Sequence, residues 1–206
     1  MSRSRDEHQA GGFPEYDDVD PPAGFIRFVT GMRKLQDLAV SVDPGETGWD
    51  DAARRVEELV GVLEGAQVPE GHAPAGRAPK LPGMGSVLLP PFITTRFGPD
   101  GVTMEGQFTR FHVGGNSAVH GGVLPLLFDN LFGMVAHAAG RFISRTAFLH
   151  VDYRNVTPID TPLKVCGRVD NVEGRKAFLS AELSDNAGTV LADAHGLMVR
   201  LLPGQP

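Results

Sequence analysis

One cysteine, Cys166, is all the chain contains, so no disulfide can form within it and its folding does not call for an oxidising compartment. No apolar run approaches the ~18 residues of a membrane span, and the first twenty residues are polar and acidic rather than signal-like. A cytoplasmic setting is the expectation. Basic residues are outnumbered, 19 Lys and Arg against 25 Asp and Glu, and no Lys/Arg block stands out, which argues against nucleic acid as the main partner. The seven histidines (His8, His72, His112, His120, His137, His150 and His195) never fall at His-x-x-x-His or Cys/His spacing, so no metal site is expected. Ser117 lacks the Gly-x-Ser-x-Gly elbow of serine hydrolases.

What is present is 206 residues, 41% of them hydrophobic, with 26 Gly and 16 Pro, enough for one domain and an extension. Residues 1–24 read as a disordered acidic tail. Residues 25–65 read as two amphipathic helices: Phe28, Val29, Met32, Leu35 and Leu38 recur at threes and fours, and so do Val56, Leu59, Val60 and Leu63. Asp50 and Asp51 suit the start of the second helix. Residues 66–90, rich in Pro and Gly, read as a surface linker. From 91 to 203 the pattern changes in kind. A strand is expected over Val102–Val113, a helix over 121–139, then four strands joined mostly by tight turns, which together make an antiparallel α+β domain of two layers.

Two features of that domain carry chemistry. His120-Gly121-Gly122 precedes the helix, and Pro125, comfortable only in a first turn, places the start near Gly121. The N–H groups of Gly121, Gly122 and Val123 are then expected to be free for an oxyanion. Asp129 sits mid-helix, where aspartate is disfavoured. Each feature also has a plain explanation, a flexible connection and a solvated helix edge. Nine residues part His120 from Asp129, so the two lie ~180° apart around the helix and ~13 Å along it. Two antiparallel helices related by a two-fold axis bring such groups together, with two sites shared across a C2 dimer.

His120-Gly121-Gly122 opening a long helix, Asp129 nine residues on, and the strand Thr146-Ala147-Phe148-Leu149-His150-Val151-Asp152-Tyr153 resemble the hotdog-fold thioesterases, specifically the phenylacetic-acid-degradation (PaaI-like) acyl-CoA thioesterase family. The resemblance covers roughly the last hundred residues. It implies a hotdog fold and hydrolysis of acyl-CoA by a homodimer or tetramer with no metal or redox cofactor. It also implies Asp129 as nucleophile or general base, Gly121 as oxyanion donor, His120 orienting the thioester, and Thr146 positioning water. Family members carry an Asn six residues before the His; that position is Gly114 here, and Asn116 is the candidate for the same polar role. Two alternatives stay open on this sequence: an acyl-CoA-binding hotdog protein without turnover, and a hotdog enoyl-CoA hydratase or dehydratase.

Overall fold

The computed structural model describes residues 18–141, 143–202 and 205; residues 1–17 of the expected acidic tail lie outside them. Two helices come first, α1 (Ala23–Ala39) and α2 (Gly45–Glu64). Pro44 ends the intervening turn and fixes the N-terminus of α2, so Asp50 and Asp51 fall beyond the first turn rather than at the start. There Asp51 pairs with Arg54 and Arg55 along the helix surface.

The Pro/Gly-rich stretch after α2 is more than a surface linker. Ala78, Gly83 and Gly85 are buried, and Gly83 adopts a φ of 59° that favours glycine. Arg33 of α1 donates through Nη2 to the carbonyls of Pro82, Ser86 and Leu89, tying the stretch to the helix. Burial lowers the pKa of this guanidinium from its ordinary value.

One six-stranded antiparallel sheet forms the rest, in the order β1-β2-β6-β7-β8-β5. The strands are β1 (Phe92–Gly98), β2 (Gly101–Gly106), β5 (Ser144–Tyr153), β6 (Leu163–Glu173), β7 (Lys176–Asp185) and β8 (Val190–Arg200). The short hairpin β3 (Val113–Gly115) and β4 (Ala118–Val119) leads into α3 (Val123–Ala138). The strand expected over Val102–Val113 is therefore two pieces. It breaks after Gly106, and a tight helical turn at Arg110–His112, capped reciprocally by Thr109 and His112, redirects the chain. β1 gave no signal in the sequence: four of its seven residues are exposed and only Phe92 is buried, and Pro91 and Pro99 flank it.

Leu124, Leu127, Phe128, Leu131, Phe132, Val135 and Ala136 of α3 are buried against the sheet. The helix lies so close that a Cβ at Gly196 would come within 2.8 Å of Phe132, and one at Gly167 within 3.0 Å of Leu131 and Val135. These two glycines set the depth at which the helix seats.

Candidate active site

Helix α3 starts two residues later than its proline suggests, with Gly122 as the N-cap and Val123 the first helical residue. The turn before it is held from four sides. His120 N–H donates to the carbonyl of His112 at 2.8 Å, and Val123 N–H donates to the His120 carbonyl at 2.9 Å. Gly122 N–H donates to His120 Nδ1 at 3.0 Å, and Tyr153 Oη–H donates to the Gly121 carbonyl at 2.9 Å. Two of the three amides expected to be free are thus used within the turn. Only the Gly121 N–H has no acceptor among the described residues. Because His120 Nδ1 accepts, the neutral ring carries its proton on Nε2 and presents a donor outward.

Gly114 explains why no asparagine stands six residues before His120. A Cβ there would lie 2.7 Å from His120 Cα, 3.1 Å from its Cβ and 3.2 Å from its nitrogen, so a side chain would displace the turn. Asn116 is one of two residues at the tip of the β3–β4 hairpin, where it and Ser117 take φ of 49° and 58°. Such a turn requires that conformation, and asparagine tolerates it. The Asn116 side chain is exposed and hydrogen-bonds to none of the other candidate residues.

Asp129 is exposed on α3, and its Oδ1 accepts a 2.7 Å hydrogen bond from Thr146 Oγ1. A bulge in β5 makes that contact. In the pairing with β8, Thr146 lies opposite Met198 and Phe148 opposite Leu197, leaving Ala147 extra. Strict alternation would put Ala147 with Leu149 and Val151 on the helix side. The bulge turns Ala147 outward and sets Thr146 beneath Asp129, its hydroxyl 3.2 Å from Met198 Sδ. Asp129 Oδ2 has no partner among the described residues.

The structure therefore joins Asp129 to Thr146, and separately His120 to Gly121, without bringing the two pairs together in one protomer. Tyr153, which anchors Gly121, stands at the opposite end of β5 from Thr146, about 20 Å along the strand. Strand alternation puts Tyr153 with Leu149 and Val151 on the apolar face of β5, so its polar contact is not visible in the sequence. Nor is the role of His112, which is buried between the edges of Phe108 and Phe111 and supports His120 through its carbonyl. Burial lowers the His112 pKa below its ordinary value, against a smaller raising effect of the Thr109 backbone. His150 stacks on His195 on the outer sheet face, away from both pairs.

Comparison with known proteins bears on the fold. Residues 116–192 match the thioesterase superfamily model. Acyl-coenzyme A thioesterase THEM4 of Rattus norvegicus is 34% identical over 89 residues, 43% of this chain and 38% of that protein's length. The Xenopus laevis protein of the same name is 31% identical over 86 residues, 41% of this chain and 38% of that protein. The chain thus spans well under half of these relatives. A crystal structure described as a thioesterase superfamily protein is 25% identical, with a TM-score of 0.75 over 94% of this chain and 98% of that one. A protein from Streptococcus mutans UA159, solved bound to acetyl CoA, shares the fold at 18% identity and a TM-score of 0.52 over 55% of this chain and 91% of that one. No helix among the described residues is long and apolar enough to cross a membrane. With one long helix laid against an antiparallel sheet, the domain has the hotdog fold, and its similarity to the thioesterase superfamily model begins at the hairpin before His120.

Proposed function

We propose that the protein hydrolyses an acyl-CoA thioester to a carboxylic acid and free coenzyme A, in two sites each shared between two copies of the chain. The observation that carries this reading is the complementary incompleteness of the two halves. One holds a carboxylate steadied on a single oxygen by Thr146, and the other holds an unclaimed amide at a helix N-terminus.

β5 pairs with β8 on one side only, so its other edge is open to a second strand. Antiparallel pairing of two β5 edges about a two-fold axis near Leu149 and His150 sets Thr146 of one copy opposite Tyr153 of the partner subunit. It thereby sets Asp129 near Gly121 of the partner subunit. In such a site the Gly121 amide, with the helix dipole behind it, binds the thioester carbonyl oxygen. His120 donates from Nε2 to hold the substrate.

Asp129 Oδ2 takes a proton from water as the water oxygen attacks the carbonyl carbon. The negative charge collects on the oxygen held by Gly121. When the intermediate collapses, the C–S bond breaks, coenzyme A leaves as thiolate and takes the proton held by Asp129 to become the thiol, which regenerates the carboxylate, and the acid remains. These steps draw on no resident metal or redox cofactor. Thr146 acts by holding Asp129 Oδ1, which leaves Oδ2 aimed at water. We place the protein in the cytoplasm, which suits a chain whose one cysteine is free.

Thiol release from a panel of acyl-CoA thioesters tests the reading. Wild type turns over at least one, and Asp129→Asn lowers kcat by about a hundredfold or more while the chain stays folded. Full activity in the folded Asp129→Asn protein refutes it. So does tight acyl-CoA binding with no thiol release.

A further inference from the structure

Helix α2 buries no residue, yet Trp49, Ala53, Val56, Val60 and Leu63 recur at four, three, four and three residues, the spacing of a coiled-coil seam. Its four large members are 42% to 48% exposed. A second such seam lies on the outer side of α1: Phe28, Gly31, Leu35 and Leu38 recur at three, four and three. The opposite side of α1 is taken up by Val29, which is buried, and by Arg33, Gln36 and Asp37, whose side chains bond the 82–89 stretch and the Phe111 amide. The two seams belong to adjacent helices of one chain, but α1 and α2 do not pack face to face.

The charges say what covers the seams. On the far side of α2, Asp51, Arg54, Arg55 and Glu58 pair among themselves. The acids that flank the α2 seam, Asp50, Glu57 and Glu64, form no ion pair among the described residues. Neither do Arg27 and Lys34, the bases that flank the α1 seam. All five acids and bases sit at the positions from which a coiled coil makes its cross-helix pairs.

We infer that α1 of one chain lies parallel to α2 of a second copy, seam on seam. In that register Phe28 meets the partner's Ala53, Gly31 meets the partner's Val56, Leu35 meets the partner's Val60, and Leu38 meets the partner's Leu63. Arg27 then reaches the partner's Glu57 and Lys34 reaches the partner's Glu64. On the other flank Met32 meets the partner's Ala52 and Ala39 meets the partner's Leu59, apolar against apolar. Folding α2 back antiparallel on its own α1 would instead set the α2 acids against Met32 and Ala39 and leave Arg27 and Lys34 facing Ala52 and Leu59. A pairing of α2 with a second α2 places acid against acid when antiparallel and leaves the acids unmatched when parallel. One two-fold operation satisfies both α1–α2 contacts at once.

The test is independent of thioesterase chemistry. In a Cys166→Ser background, a Leu38→Cys chain is mixed with a Leu63→Cys chain under mild oxidation. The expected product is a disulfide-linked heterodimer on non-reducing gels. Combining Arg27→Glu with Lys34→Glu slows its formation by about tenfold, the loss of four surface ion pairs, and adding Glu57→Arg and Glu64→Lys restores it. Trp49, the one tryptophan, reports in parallel: its emission shifts to the blue as protein concentration rises. No heterodimer in the mixture overturns the inference. So does a Leu38→Cys/Leu63→Cys chain that closes only on itself, or cross-linking indifferent to the charge reversals.

Discussion

Replacing Gly114 with alanine puts one methyl group against the backbone of the His120 turn, and its cost can be worked out in advance. The new Cβ would stand 2.7 Å from His120 Cα, where ordinary contact begins at 3.4 Å, so the turn or the hairpin must yield by about 0.7 Å. The hairpin is held by the Val113–Val119 and Gly115–Ala118 pairings, and the turn by His112, Tyr153 and the start of α3. The strain therefore divides between folding and function. Overpacking of this kind costs about 1–3 kcal/mol of stability. In the proposed site, moving the Gly121 amide by a large fraction of an ångström from the oxyanion costs roughly 10- to 100-fold in kcat, or about 1.4–2.7 kcal/mol of transition-state binding. Urea melts and thiol-release kinetics on Gly114→Ala measure the two parts. A variant with wild-type kcat and wild-type stability refutes both the close approach and the role of the turn.

Other outcomes follow from the same contacts. Thr146→Val keeps the shape but removes the hydrogen bond to Asp129; kcat falls about tenfold and Thr146→Ser recovers most of it, whereas equal losses in Val and Ser variants would show that packing on Met198 matters instead. His112, whose pKa burial lowers in the folded state, makes the unfolded chain the better proton binder. Its stabilising contribution is full above the ordinary histidine pKa of 6.5 and is lost as pH falls toward the depressed folded value, with Asp37 opposing and Arg33 reinforcing the shift. Denaturant melts from pH 7.5 to 5 show the decline, and it is shallower in His112→Gln. An identical slope in that variant assigns the acid sensitivity to other groups.

The helix α3 was legible because its apolar stripe is long and strictly helical in period, and the His-Gly-Gly turn because Pro125 marks a helix start. What escaped sequence reading depends on contacts distant in the chain. β1 is short and mostly solvated, so it carries no burial pattern; only pairing with β2 makes it a strand. The Ala147 bulge inverts the alternation that strand reading assumes, which is why Thr146, on the wrong face by counting, reaches Asp129. Gly114 looks like one glycine of a flexible pair until His120 is folded back over it. Arg33, a charge on an amphipathic helix, gave no hint that three carbonyls from the following stretch would surround it.

Mixing two inactive variants tests the shared site most directly. Asp129→Ala disables one half of each site, and Gly121→Pro removes the amide proton of the other. If each site takes Asp129 from one copy and Gly121 from the second, a mixed dimer concentrates both lesions in one site and leaves its other site intact. Random reassortment of equal amounts then restores about a quarter of wild-type thiol release. A mixture as inactive as its components, with exchange of subunits verified, would mean that the two groups act within a single chain or not at all.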